Sequence, residues 1–185
     1  MGIKYKVNEN FFKTWNPTMA YVLGYWYADG SLEDAPSLRG KYIRVTSITV
    51  KFPQIPEDYL KDFIRGYLDG DGCVYLEVKS NAQGEKITKR LLTIFTSGSF
   101  DFLEVLCETL RNKLKVNQAH IYKGARAFQL RYSTDDSMKI FEFLYVDCYP
   151  DIFLKRKFDK FKAYYELRPS RINKRVSDIL SQLAT

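Results

Sequence analysis

Two nine-residue segments of the chain align without a gap: Val22-Leu23-Gly24-Tyr25-Trp26-Tyr27-Ala28-Asp29-Gly30 and Ile64-Arg65-Gly66-Tyr67-Leu68-Asp69-Gly70-Asp71-Gly72. Each carries two small residues four positions apart, which are Gly24 and Ala28 in the first segment and Gly66 and Gly70 in the second. Residues at this spacing lie on one face of an α-helix. Small side chains there let two helix backbones approach closely, so the segments predict a pair of helices in contact.

Both segments end in an aspartate followed by a glycine, Asp29-Gly30 and Asp71-Gly72. A single Asp-Gly pair after a helix is usually only a turn. Two copies within a repeated pattern favour a functional site instead. If the helices pair, both carboxylates lie at the same end, where the helix carbonyls and the negative ends of the helix dipoles add to their charge. Such a site favours Mg²⁺, which takes oxygen ligands and can assist phosphodiester hydrolysis.

The remaining sequence predicts an α+β chain built from an imperfect repeat. After Asn16-Pro17 starts the first helix, Ser31–Gly40 reads as a strand and turn and Lys41–Ser47 as a strand. From Pro56 onward the order is helix, strand, strand, helix, strand, strand, helix. The predicted elements after that helix are strands Cys73–Lys79 and Ile87–Thr96, helix Phe100–Leu114, hairpin strands Ile121–Lys123 and Ala127–Ser133, and helices Met138–Tyr145 and Leu154–Leu167. The last 17 residues suggest one short amphipathic helix.

The amino-acid composition limits the kinds of function that the protein can have. The 185 residues carry a net charge of +7, which favours a polyanionic partner, most simply nucleic acid. Three widely spaced cysteines do not indicate a disulfide framework or a zinc site, and buried thiols are the default expectation. A single histidine, His120, makes a zinc centre, an HNH nuclease site or a Ser-His-Asp triad implausible. Catalysis would therefore depend on carboxylates, lysines and a metal.

Both nine-residue segments resemble the LAGLIDADG motif of homing endonucleases, and the resemblance extends from Asn16 to about Leu167. It implies two αββαββα halves related by a pseudo-twofold axis, with two central motif helices and curved antiparallel sheets over DNA. It also implies that Asp29 and Asp71 are the catalytic, metal-binding residues, assisted by the carbonyls of Ala28 and Gly70. A basic residue in the segment 153–157 reaches the active-site water in this family, and Lys157 is the first candidate here, followed by Lys155.

The first repeat is too short for a complete half. Only 33 residues separate Gly30 from Ile64. That length cannot hold the helix, second hairpin and final helix of the family pattern. We therefore predict a truncated first repeat over 1–55, a complete repeat over 56–168 and a basic C-terminal tail over 169–185. A monomer is expected, and a dimer becomes the alternative if a second chain has to complete the surface.

Outward-facing side chains on the predicted strands are the candidates for double-stranded DNA contact. In a sheet that lies in the major groove, Arg and Lys would contact guanine, Gln would contact adenine, and others would contact phosphates. For any one of them, an exposed strand residue without a partner is an equally good interpretation. The candidates are Tyr42, Arg44, Tyr75, Lys79, Arg90, Arg126, Gln129 and Arg131. The basic segment Arg168–Arg175 either touches phosphate or packs on the core.

The function predicted from these features is a site-specific DNA endonuclease that makes Mg²⁺-dependent double-strand cuts. Two alternatives use the same fold: an intron-splicing maturase, whose partner would be intron RNA, and a DNA-binding protein whose nuclease site has decayed. Retention of both Asp29 and Asp71 argues against decay. The chain has no signal peptide and no membrane-spanning apolar run, so we expect an intracellular protein of the cytoplasm, nucleoid or an organelle.

Overall fold

A computed structural model describes residues 10–28, 32–33, 44–45 and 50–183. Two 3-10 turns, Glu57–Tyr59 and Pro169–Arg171, precede α2 and α6. The helices are α1 (Pro17–Ala28), α2 (Leu60–Asp71), α3 (Phe100–Leu114), α4 (Thr134–Tyr145), α5 (Lys155–Leu167) and α6 (Lys174–Leu183). The strands are β1 (Leu32–Glu33), β2 (Arg44–Val45), β3 (Cys73–Ser80), β4 (Lys86–Ser97), β5 (Ile121–Lys123) and β6 (Phe128–Tyr132). The predicted α+β class is confirmed, and so is the predicted order of elements from α2 to α4.

Helices α1 and α2 touch backbone to backbone at their glycines. A methyl group placed on Gly66 would overlap the carbonyl oxygen of Tyr21 and lie 2.9 Å from the amide nitrogen of Tyr25. A methyl group on Gly24 would meet the corresponding atoms of Phe63 and Tyr67, again 2.9 Å from the amide nitrogen. Each residue of α1 in this contact is matched by the residue 42 positions later in α2. The predicted close pair is confirmed, and its two sides are related by an approximate twofold axis.

Four strands form an antiparallel sheet in the order β3-β4-β6-β5. The register pairs Tyr75 with Leu92 and Ile94 with Arg131, while β5 pairs Tyr122 with Gln129. A bulge between Glu77 and Val78 shifts the β3–β4 register. Strands β1 and β2 form a separate antiparallel pair.

The inner face of the sheet and the helices behind it enclose a core that is rich in aromatic rings. Leu91, Phe95 and Leu130 of the sheet are fully buried, as are Phe102 of α3 and Phe141 of α4. The alternation predicted for β6 is confirmed, since Leu130 and Tyr132 are buried while Arg131 is exposed.

Helix α6 covers the end of α4 with an apolar face of Val176, Ile179 and Leu183, each at most 2% exposed. The C-terminal tail is therefore attached to the core by residues beyond Arg175. The segment Arg168–Arg175, predicted either to touch phosphate or to pack on the core, is exposed, and the guanidinium of Arg168 donates to the carbonyl of Thr88 at 3.0 Å. No helix in the described ranges is long and apolar enough to cross a membrane.

The expectation of buried thiols is wrong for one cysteine. Cys107 and Cys148 are buried, but Cys73 is exposed at the start of β3. Its alternation with buried Val74 places Cys73 on the outer face of the sheet.

The two paired helices differ in what covers their far sides. Val22, Tyr25 and Trp26 of α1 remain 37%, 43% and 40% exposed. Their counterparts in α2 are Ile64, Tyr67 and Leu68, which are at most 2% exposed. Tyr67 packs on Phe102 with ring centroids 4.5 Å apart and donates to the carbonyl of Thr96 at 2.7 Å. Among the described residues of the first half, no comparable layer of packed side chains covers this side of α1.

Replacing Gly66 by alanine tests the backbone contact. In an ordinary helix this substitution stabilises by roughly 0.5–1 kcal/mol. Here we expect the free energy of unfolding to fall by about 2 kcal/mol, because the added methyl group forces the helices apart. Chemical denaturation measures the change, with Ser181→Ala on the exposed side of α6 as the control. A Gly66→Ala protein more stable than the native chain would contradict the packing.

Candidate active site

The paired helices bring the two aspartate-bearing ends together as far as the described residues extend. A methyl group on Gly70 would overlap the side chain of Ala28 and lie 3.2 Å from the carbonyl oxygen of Tyr25. Gly70 immediately precedes Asp71, which is the last residue of α2 and is exposed. Ala28 is the last residue of α1 and immediately precedes Asp29. Asp29 itself lies outside the described residues, as does the predicted glycine stop at Gly30.

Lys157 lies at the C-terminal end of α2, beside Asp71. Its ammonium group donates to the carbonyl oxygens of Leu68, Asp69 at 2.8 Å and Gly72 at 2.6 Å. All three ammonium donors thus bind carbonyl groups at a helix end, where a positive charge is favourable. The side chain is 4% exposed, and its burial lowers the Lys157 pKa to about 8. Lys155, the second candidate, is exposed and lies 4.0 Å from Asp159.

Asp69 of α2 makes a reciprocal contact with α5, the helix that carries Lys157. Its carboxylate accepts the amide hydrogen of Leu154, at the start of α5, with a distance of 2.8 Å. It also accepts the hydroxyl of Tyr21 from α1 at 3.0 Å. Burial raises the pKa of Asp69, while the Leu154 amide, Tyr21 and the nearby cations Lys157 and Arg65 oppose that rise. Helix α5 therefore supplies a cation to the end of α2, and α2 supplies a carboxylate to the start of α5.

A second buried cation fixes α2 against α4. Arg65 is fully buried and pairs with Asp62 at 2.6 Å. The same guanidinium donates to the carbonyl oxygens of Leu144 at 2.6 Å and Ile152 at 2.9 Å. Because Arg65 is anchored on several sides, the helix that carries Asp71 has little freedom to shift.

The donors at this helix end fit a hard divalent cation. Asp71 offers an exposed carboxylate, and the carbonyl group of Gly70, the residue before it, is also an oxygen ligand of the kind that Mg²⁺ prefers. Within the part of the chain that the structure describes, no group of three or more His, Cys, Asp and Glu side chains could hold a metal ion. A site here would therefore need Asp29 in addition to Asp71, as the sequence predicts.

The structure brings most of the predicted DNA-contacting residues to one face. Strand register and alternation place Tyr75, Arg90, Gln129 and Arg131 on the outer face of the sheet, and Lys79 continues it beyond the bulge. Arg126 is exposed in the turn between β5 and β6. Tyr42 lies outside the described residues, and Arg44 is described only as part of β2.

The two arginines of this face have different partners. Arg90 pairs with Glu77 at 2.8 Å, which offsets its charge. Arg131 instead lies over the ring of Tyr122, with its guanidinium carbon 4.8 Å from the ring centroid, and it donates to the side-chain oxygen of Gln129. Sequence reasoning missed Tyr122, although its place between Ile121 and Lys123 in a short strand could have indicated an outward aromatic ring.

Replacing Lys157 by methionine tests the helix-end contact. Methionine keeps the apolar stem but leaves carbonyl groups of α2 without their donor, so we expect the free energy of unfolding to fall by about 2 kcal/mol or more. Chemical denaturation at neutral pH measures the change. The matched control is Lys155→Met, which removes an exposed lysine two residues away. Equal stability of the two variants would contradict the assigned role.

The pH dependence of stability gives a second test of Lys157. Its pKa of about 8 lies below the 10.5 of an ordinary lysine. Between these values the unfolded chain binds a proton that the folded protein has released, so raising the pH favours folding. We expect the unfolding free energy of the native protein to rise from about pH 8 to about pH 10, relative to that of Lys157→Met. Chemical denaturation at a series of pH values, with a metal chelator present, measures this difference. Parallel curves of unfolding free energy against pH for the native protein and Lys157→Met would contradict it.

Solved structures of homing endonucleases are similar to this chain. The I-LtrWI LAGLIDADG homing endonuclease, solved bound to target DNA, is 19% identical with a TM-score of 0.44, over 72% of this chain and 46% of that one. The homing endonuclease I-TnaI is 19% identical with a TM-score of 0.41, over 66% and 84%. The LAGLIDADG meganuclease I-CpaMI, bound to uncleaved DNA, is 16% identical with a TM-score of 0.42, over 79% and 46%. No protein-family model and no curated protein matches the chain. The chain thus spans about half the length of I-LtrWI and I-CpaMI.

Proposed function

We propose that this protein is a metal-dependent, site-specific DNA endonuclease. The observation that carries the proposal is the contact of Ala28 with Gly70 at one end of a twofold-related helix pair. Each of these residues is followed by an aspartate, Asp29 and Asp71. Helix packing alone needs no aspartate after each small residue, whereas a shared cation site does.

Asp29 and Asp71 would hold the cation, with the backbone carbonyl groups of Ala28 and Gly70 as further oxygen ligands. A bound Mg²⁺ ion supplies Lewis-acid stabilisation of the charge that develops on a scissile phosphate. The approximate twofold axis relates α1 to α2 up to Ala28 and Gly70, the residues that precede the two aspartates in the sequence, as the two strands of a DNA duplex are related. This symmetry suits one aspartate to each strand.

Lys157 would act on this site through the backbone. It binds the carbonyl groups of Leu68, Asp69 and Gly72, which bracket Gly70 and Asp71. These bonds fix the main chain around Asp71 and set the direction in which its carboxylate leaves the helix. Lys157 also places a positive charge beside Asp71. This charge would attract the negatively charged phosphate group of a substrate.

The outer face of the sheet would bind the duplex. It carries exposed Lys79, Arg90 and Arg131 together with the exposed ring of Tyr75. Cations contact phosphates and guanine, and a two-stranded ribbon fits into a major groove. The net charge of +7 favours the same partner.

Replacing Asp71 by asparagine tests the nuclease proposal. We expect the variant to fold and bind DNA but to cleave a plasmid library with Mg²⁺ at least about a hundredfold more slowly, because cation binding contributes several kcal/mol. Asp29→Asn should have the same effect, and a chelator should stop cleavage by the native protein. Asp159→Asn, which removes an exposed carboxylate from α5, is the matched control and should cleave normally.

The same assay separates the proposal from its alternatives. Binding of DNA by the native protein without cleavage would overturn the nuclease activity and favour a DNA-binding regulator. Selective binding of a folded intron RNA over duplex DNA would favour a maturase. Unchanged cleavage by both aspartate variants would place the active site elsewhere.

A further inference from the structure

The outer face of the sheet holds one arginine in a defined orientation. The guanidinium carbon of Arg131 lies 4.8 Å from the ring centroid of Tyr122. Its Nε and Nη2 donate to the side-chain oxygen of Gln129 at 3.1 Å and 2.6 Å. The ring restrains the guanidinium from one side and the amide restrains its edge. An arginine side chain ordered in advance loses less conformational entropy when it binds a partner.

The hydrogen bonds between Arg131 and Gln129 decide what the pair can offer to a base. A guanidinium only donates, so the group of Gln129 that faces it must be the amide oxygen. That oxygen has two lone pairs, and the two bonds from Arg131 occupy both. Gln129 keeps the two donors of its amide nitrogen, and Arg131 keeps the donors of Nη1, which takes no part in these bonds. The pair therefore presents hydrogen-bond donors only.

A donor-only pair distinguishes among the bases of the major groove. Guanine presents two acceptors there, N7 and O6. Adenine presents one acceptor and one donor, and the bidentate contact of a glutamine with adenine needs the amide oxygen as acceptor. Because Arg131 occupies that oxygen, Gln129 cannot make this contact without breaking the pair. Cytosine presents a donor, which a donor-only pair repels.

We propose that Tyr122, Gln129 and Arg131 form a guanine-reading element on the outer face of the sheet. The proposal rests on the proposed function in that it assumes duplex DNA on this face. It differs from the sequence-based expectation that Gln129 contacts adenine. Arg131 contacts the base, while Tyr122 is a positioning residue that acts through Arg131. Arg90 differs because its partner Glu77 is a carboxylate, which offsets its charge and adds no donors.

A binding selection with random duplex DNA tests the element first. The native protein is used with a chelator so that the bound duplexes stay intact. We expect at least one position of the selected site to be enriched in guanine, and Arg131→Ala to lose that enrichment. Adenine enrichment that depends on Gln129 would overturn the proposal, and so would a selected site without any dependence on Arg131.

A single-atom change in the DNA then tests the contact itself. In 7-deazaguanine the N7 acceptor is replaced by carbon, so the native protein should bind the modified duplex roughly tenfold more weakly. Arg131→Ala should bind the normal and modified duplexes equally. Arg90→Ala should weaken binding to both duplexes by the same factor, and Arg111→Ala, on α3 behind the sheet, should bind as the native protein does. Equal native affinity for both duplexes would overturn the proposal.

Variants of Tyr122 test its positioning role. Tyr122→Phe keeps the ring under the guanidinium and should retain the preference for guanine over 7-deazaguanine. Tyr122→Leu keeps an apolar strand residue without the ring and should reduce that preference while leaving thermal stability near that of Tyr122→Phe. The same preference in both variants would exclude the role. If the native protein binds no duplex DNA at all, the proposed function fails as well, whereas binding without guanine dependence overturns this inference alone.

Discussion

The contact between the backbones of α1 and α2 constrains every other feature of the site. Gly24 and Gly66 leave no room for a side chain, because carbonyl and amide groups of the opposite helix occupy that space. The next small residues on the same faces lie four positions later, and there Ala28 meets Gly70. The twofold relation follows from the repeat, since the same residue types meet on both sides. A cation site between the helix ends depends on this geometry.

Charges buried in the second half lie mainly where helices begin and end. Lys157 of α5 binds carbonyl groups at the end of α2, and Asp69 of α2 accepts the amide of Leu154 at the start of α5. Arg65 similarly binds carbonyl oxygens beyond α2. Each charge is stabilised by the opposite end of a helix dipole or by hydrogen bonds that offset the loss of water. These contacts hold Asp71 on a helix with fixed neighbours, as the catalytic role proposed for this carboxylate would require.

The outer face of the sheet combines cations with local partners that change what each cation can do. Arg90 has its charge offset by Glu77, while Arg131 is ordered by a ring and an amide. Both are exposed arginines on β-strands, and alternation alone treats them as equivalent. Their difference arises from their neighbours. Glu77 on the adjacent strand β3 offsets the charge of Arg90. Gln129, on the same strand as Arg131, accepts from it and adds amide donors beside it, while Tyr122 of β5 lies under its guanidinium. The base recognition proposed for this face would depend on pairs and triads of residues.

Patterns in the amino-acid sequence were enough to predict the order of elements from α2 to α4, the outward positions of Gln129 and Arg131, and the pairing of α1 with α2. Periodicity and the spacing of Gly24, Ala28, Gly66 and Gly70 report which face of an element is small, apolar or polar. Three contacts became visible only in the folded chain: Lys157 binds the end of α2, buried Asp69 accepts the amide of Leu154, and Tyr122 lies under Arg131. These contacts join residues on different elements, some more than 80 positions apart, and a pattern along one element carries no information about which neighbour faces it.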